Sequence, residues 1–245
     1  MTGLHQALRL PDWVCMASMP VAQAAEHLLA AVGDEALAWR QATLAMSPGR
    51  RAEFVAGRVC AWRALQEAGA KRVGAKKAGA TDQGPVLPVD QRLPVWPAGW
   101  LGSISHSGAW AVAAVASAAR CQALGLDLQD LIAPQTVVDV QPLVATEREL
   151  ARMAAHLDRG HALTLLFSAK EALYKALYPR LRRFQDFDAA ELTAMRASRA
   201  EVTLTLTRDW DDAEWRAGQA LSVRYAWVAD GVLTACCVAA RGAGA

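Results

Sequence analysis

Glu171 and Lys175 lie four residues apart in the stretch FSAKEALYKALYP, residues 167–179. On an α-helix that spacing puts both on one face. Leu166, Ala169, Leu173 and Leu177 form a separate apolar stripe that should meet a core. Ser168 reads as an N-cap, and Pro179 as the end of a helix of about three turns. A carboxylate and an ammonium presented together near a helix start can hold a metal ion and the phosphate bound to it. Two structural readings stand beside this one. Ser168 and Glu171 also spell a capping box, in which the glutamate serves only a backbone amide. Glu171 with Lys175 also reads as an i,i+4 surface pair, worth roughly a few tenths of a kcal/mol.

Three other places carry chemistry-bearing residues. Arg50 and Arg58 sit eight apart in RRAEFVAGR, so they project from nearby faces of a helix. Two guanidinium forks on one side can grip a phosphate, although solvent exposure alone would also explain them. In LGLDLQD, Asp127 and Gln129 share one face of a strand, opposite Leu126 and Leu128, and can offer two oxygens to one cation. Asp130 falls on the other face. Lys71, Arg72, Lys76 and Lys77 crowd a Gly- and Pro-rich segment, residues 70–99, read as a loop with weak strand content. They are solvated loop charges or a phosphate screen.

The elements that must position these groups follow from periodicity and punctuation. Residues 8–19 read as an edge strand broken by Pro11. Helices follow over about residues 21–32 and 34–45. Ser47-Pro48 opens a strong helix, with Phe54, Val55, Val59, Trp62 and Leu65 inward, Arg51 and Arg58 outside the stripe, and Gly69 as a stop. Residues 101–106 and 109–116 pair as strands around Ser107-Gly108. Residues 142–157 read as one helix with Thr146 and Glu149 as a capping box. The C-terminal part gives strands over 202–207, 220–228 and 232–239, with a turn at Asp230-Gly231.

Bulk properties narrow the class. The 245 residues, 53% hydrophobic, can bury a sizeable core. With 26 basic and 24 acidic residues and a net charge of +2, a general nucleic-acid or membrane-surface binder is not expected. The most apolar run, residues 109–119, is too short to span a bilayer and contains Ser117. The opening residues lack a signal-peptide layout. Five scattered cysteines show no metal or disulfide spacing, and His156 and His161 are five apart. A cytoplasmic protein with reduced thiols is the expectation.

FSAKEALYKALYP resembles the signature of the 4′-phosphopantetheinyl transferases: aromatic, small hydroxyl residue, any residue, Lys-Glu, and a second Lys four beyond the Glu. RRAEFVAGR resembles the Arg-x-x-x-Phe-x-x-Gly-Arg block of the enterobactin-synthase branch, and Gly-Ser-Ile-Ser-His ending at His106 resembles another. GLDLQ is similar to the family's Gly-x-Asp-x-Glu, with Gln129 in place of the acid. LRRFQDFDAAEL resembles the Phe-Leu-Asp-Phe stretch. The blocks run in the family's order from about residue 47 to 187.

The resemblance implies an α+β fold, a pseudo-dimer of two similar halves with the active site in the cleft between them. Residues 1–120 would form the N-terminal half and 121–245 the C-terminal half. It implies transfer of the phosphopantetheine arm of coenzyme A to a serine of an acyl or peptidyl carrier protein, with Mg²⁺. Asp127, Glu171 and Gln129 are the implied metal ligands, with Glu171 and Lys175 catalytic. Arg50, Arg58, His106, Lys170 and Lys175 would contact coenzyme A. A monomer is expected, with Arg180, Arg182 and Arg183 offering an acidic carrier a basic landing. Two other readings share the residue types: a Mg²⁺-dependent phosphodiester or pyrophosphate hydrolase, and a non-catalytic module that binds coenzyme A or a carrier.

Overall fold

The computed structural model describes residues 4–31, 33–71, 89–90, 93–211 and 213–241. Arg72, Lys76 and Lys77 lie outside them. The elements in chain order are α1 (Leu4–Leu8), β1 (Cys15–Pro20), α2 (Ala24–Ala30), α3 (Gly33–Thr43), α4 (Pro48–Lys71), β2 (Val89–Asp90), β3 (Leu93–Pro94), β4 (Trp100–Ser107), β5 (Trp110–Ser117) and β6 (Cys121–Asp130). There follow α5 (Val137–Val144), α6 (Glu147–Met153), α7 (Arg159–Leu181), β7 (Ala190–Arg196), β8 (Glu201–Leu206), β9 (Ala220–Val228) and β10 (Gly231–Ala239). The mixture of helix and largely antiparallel sheet is the α+β class that the sequence led us to expect. None of the described helices is long and apolar enough to cross a membrane.

The chain divides into two compact units. One comprises Met1–His5, Pro11–Gln122 and Ala239–Ala245; the other comprises Gln6–Leu10 and Ala123–Val238. The expected halves, 1–120 and 121–245, follow the sequence linearly, whereas in the structure a short piece of each chain end belongs to the opposite unit.

In the first unit a sheet of order β1-β5-β4, antiparallel throughout, lies under α4. Ser47 Oγ accepts the Arg50 N–H at 3.5 Å, and Pro48 takes the first helical position, where its missing N–H costs nothing. The helix buries Val55, Ala56, Val59, Cys60, Ala64 and Leu65 against Cys15, Met19, Ala111, Ala113 and Val115. These small β5 side chains allow a close approach. At Gly57 an added Cβ would meet Ile104 Cγ2 at 2.7 Å, so glycine is required where α4 crosses β4. Gly69 does not stop the helix, which continues to Lys71. The strand expected from residue 8 begins only at Cys15, and Leu8 instead ends a short helix.

In the second unit α7 lies on a sheet of order β6-β10-β9-β8-β7. Leu166, Ala169, Leu173 and Leu177 are each fully buried, as their stripe required. They meet Leu192, Val202, Leu204, Leu221, Val223, Val232 and Cys236 from the strands. Strand β7 was not foreseen, because its polar half (Thr193, Arg196) hides the alternation on the edge of the sheet. The expected helix over residues 142–157 is two helices, since Ala145 is extended and Thr146 caps a new start at Glu147. The capping box itself is present: Thr146 Oγ1 accepts the Glu149 N–H at 3.2 Å, and Glu149 accepts the Thr146 N–H at 2.9 Å.

Candidate active site

The helix bearing Glu171 and Lys175 starts far before Ser168. It begins at Arg159, capped by Asp158, whose carboxylate accepts the His161 N–H at 3.0 Å. Ser168 is therefore mid-helix and buried, so a Ser168–Glu171 capping box does not exist. Pro179 lies within the last turn, and the helix ends only where Arg182 turns left-handed at φ 51°.

Strand β6 crosses this helix closely because of Gly125. A Cβ there would fall well inside contact distance of the Ala172 carbonyl and the Ala176 amide. Two residues on, Asp127 is brought to Lys175, whose Nζ donates to Asp127 Oδ1 at 2.6 Å. Asp127 is only 5% exposed. Glu171, one turn before Lys175, is half-buried. Burial pushes its carboxyl above the ordinary glutamate range; the Lys175 ammonium pulls it back, and the Asp127 carboxylate pushes it further up. Two acids and a lysine thus act on one another, which a solvated i,i+4 pair would not do. We expect Gly125→Ala to force the strand off the helix. Overpacking of this kind costs about 1–3 kcal/mol, read as a lowered thermal midpoint together with lost activity.

Gln129 follows on the same strand, half-buried, with its amide nitrogen donating to the Asp130 carbonyl at 3.0 Å. Lys170 departs from expectation. Its ammonium contacts Glu149 Oε1 at 2.8 Å and donates to the Val144 carbonyl at 2.8 Å, with the pair's side chains 5% and 2% exposed. Burial works to raise the Glu149 carboxyl, but the Lys170 ammonium and the Thr146 and Leu192 amides outweigh it and hold it below the usual range. Lys170 therefore ties α7 to α6 and its neighbours and is not placed to meet a phosphate in solvent. The arginines at the end of the helix are also engaged. Arg180 pairs with Glu214 at 2.7 Å, Arg183 donates to the Trp210 carbonyl at 2.5 Å, and Arg182 donates to the Pro179 carbonyl at 3.1 Å.

The first unit gathers its own cluster. Arg50 Nη1 lies 2.7 Å from His106 Nε2 and 3.3 Å from Glu53 Oε2. A guanidinium has only donors, so Nε2 accepts and the histidine carries its proton on Nδ1, 3.6 Å from Glu53 Oε2. Glu53 was not singled out from sequence; its i,i+3 spacing from Arg50 is the signal that would have found it. Arg58, read as lying outside the buried stripe, is 5% exposed. Its guanidinium sits over the Phe54 ring, 4.8 Å from the centroid, and its Nε is buried without a hydrogen-bond partner. Burial, together with the Arg50 charge, brings its pKa down to about 10, so it stays cationic at neutral pH.

Comparison with known proteins places both parts of the chain in one family. Residues 35–116 match the profile of the 4'-phosphopantetheinyl transferase N-terminal domain, and residues 123–237 match that of the 4'-phosphopantetheinyl transferase superfamily. The 4'-phosphopantetheinyl transferase Svp of Streptomyces mobaraensis is 35% identical over 186 residues, 72% of this chain and 71% of that protein. Enterobactin synthase component D of Salmonella typhi is 34% identical over 157 residues, 63% of this chain and 59% of that protein. The match therefore spans about three fifths of the enterobactin synthase relative. The 4'-phosphopantetheinyl transferase Npt of Nocardia iowensis is 36% identical over 148 residues, 59% of each chain. With profiles matched across both units and a relative covered over most of its length, the chain belongs to the 4′-phosphopantetheinyl transferase family.

Proposed function

We propose that the chain transfers the 4′-phosphopantetheine arm of coenzyme A to a serine of an acyl or peptidyl carrier protein. The observation that carries this reading is Arg58. It is a buried cation held on an aromatic ring, beside a second arginine, and among the described residues no carboxylate pairs with it. A buried charge without a counter-ion is costly, so the site calls for an anion from outside the chain. With Arg50 and His106 beside it, a phosphate of coenzyme A supplies that anion.

In the reaction, the carrier serine Oγ attacks the β-phosphorus of the pyrophosphate. The bond from that phosphorus to the bridging oxygen breaks, and adenosine 3′,5′-bisphosphate leaves. A serine hydroxyl is a weak nucleophile when protonated. Glu171, directly or through water, takes its proton. Lys175 balances phosphate charge while holding Asp127.

The donor set suits Mg²⁺. Among the described residues no group of three or more His, Cys, Asp or Glu side chains gathers as a metal cage. Magnesium bound with a substrate phosphate needs only one or two carboxylates. Asp127 and Glu171 are close enough for each charge to bear on the other, and Asp127 Oδ2 is buried and accepts no hydrogen bond. These two, with the Gln129 side-chain oxygen, would hold the ion. Once bound it would offset the charge that builds on the pyrophosphate oxygens.

Incubation with coenzyme A, Mg²⁺ and an apo carrier protein, followed by mass spectrometry of the carrier, tests the reading. A carrier heavier by one phosphopantetheine supports transfer. Cleavage of coenzyme A without a carrier would mark a hydrolase, and binding without either product a non-catalytic module. We further expect Arg58→Ala to weaken coenzyme A binding much more than dephospho-coenzyme A binding, if this seat takes the 3′-phosphate. One lost charge-assisted contact costs about 1.5–3 kcal/mol. Calorimetric titration of both ligands measures it, and equal losses would place Arg58 against another part of the nucleotide.

A further inference from the structure

A second contact holds β6 to α7, and it involves neither Gly125 nor any charge. Ser168 and Thr234 are both fully buried. Their hydroxyl oxygens are 2.8 Å apart, and Thr234 Oγ1 lies 2.8 Å from the Ser168 carbonyl oxygen. Both hydroxyl oxygens also lie 3.4 Å from the backbone carbonyl oxygen of Asp127. The two hydroxyl protons have the partner hydroxyl oxygen and two carbonyl oxygens within reach as acceptors, and the group joins three elements: β6 at Asp127, α7 at Ser168 and β10 at Thr234.

The placement on the helix gives the contact its meaning. Ser168, Glu171 and Lys175 stand at i, i+3 and i+7, one stripe of α7. The peptide carrying Asp127 is therefore fastened to the turn just below Glu171. Gly125 fixes the crossing at Ala172 and Ala176. Two contacts on one strand set its direction as well as its distance, and so set where the Asp127 carboxylate points.

Stability alone does not explain these hydroxyls. Burying a hydroxyl costs free energy that its hydrogen bonds only offset, and apolar groups of the same shape can serve as well. We propose that the Ser168–Thr234 pair is a positioning device. It holds Asp127 where Oδ1 meets Lys175 and where its charge bears on Glu171, and Thr234 is a positioning residue for the reaction. This rests on the transfer reading above for its kinetic consequence, but not for its geometric one.

The test uses Thr234→Val, which keeps the shape and removes the hydroxyl, with Thr234→Ser as the conservative rescue. Outer positioning partners of this kind are typically worth about 10–100-fold. Thr234→Val should lower kcat by about that factor, with KM for coenzyme A and carrier nearly unchanged and the thermal midpoint close to the parent's. In its crystal structure the Lys175–Asp127 contact, 2.6 Å in the parent, should open beyond hydrogen-bonding distance. Thr234→Ser should restore both the rate and the contact. If Thr234→Val does not fold, Ser168→Ala, which deletes a single oxygen, carries the same test. A variant lacking the hydroxyl that retains the short contact overturns the proposal, whatever its rate. If the parent protein transfers nothing, the transfer reading falls, while the contact distance in the variant still decides the positioning claim.

Discussion

Glu171→Ala should abolish carrier modification while leaving the protein folded. General-base catalysis contributes about 10²–10⁴-fold, and the same substitution removes one of the two carboxylates offered to Mg²⁺. The structural role is small by comparison. Ser168 is not a helix cap, so Glu171 satisfies no backbone amide at a helix start. Burial raises its carboxyl first of all, which means that the folded protein holds the charged form at a cost. The sign follows from linkage. A carboxyl raised on folding adds stability that is fully present below the ordinary glutamate pKa and is lost as pH rises through the raised value. Glu171→Gln removes that dependence and should keep or slightly raise the thermal midpoint at neutral pH. Mg²⁺ held by Glu171 would favour the charged carboxylate, so this pH dependence is expected in the stability of the metal-free protein. Turnover, midpoint and pH profile measured together check this. A folded variant with near-parental turnover would sink the catalytic assignment.

The residues at this site were legible because their chemistry is local. Glu171 and Lys175 are four apart on one helix, and Asp127 stands beside a glycine that the crossing of β6 and α7 requires. What sequence could not show was which polar groups go inside. Arg58 and Lys170 both stand outside the apolar stripes read from sequence, yet both are buried, and the anionic partner of each is far along the chain or not among the described residues. Phe54 lies beneath Arg58, and Glu149, read only as a cap, is the counter-ion of Lys170. Thr234 is still less visible, a lone hydroxyl in an apolar strand that meets Ser168 across 66 positions. Helix boundaries failed for a related reason. Ser168 and Pro179 are ordinary start and stop signals in isolation, but burial of the Leu166–Leu177 stripe against the sheet carries the helix through both.

Lys170 supplies the sharpest separation of a structural lysine from a substrate-binding one. It is expected to matter for the fold, because Lys170→Met leaves the Glu149 carboxylate, 2% exposed, without its ammonium. Removing one partner of a buried ion pair costs about 3–5 kcal/mol. At ~2–4 °C per kcal/mol for a chain of this size, the thermal midpoint should fall by roughly 6–20 °C. Glu149 keeps the Thr146 and Leu192 amides, so part of its satisfaction survives. The double variant Lys170→Met, Glu149→Gln removes the orphaned charge while leaving an oxygen for those amides, and should recover much of the loss. The single variant should also regain stability as pH falls, since protonating Glu149 discharges the same buried group; the parent, whose Glu149 is held below the usual range by Lys170, should lose stability in that direction. A lysine that seats a phosphate behaves otherwise. Its loss would leave the midpoint and its pH dependence in place and raise KM for coenzyme A, and that outcome would return Lys170 to the binding site.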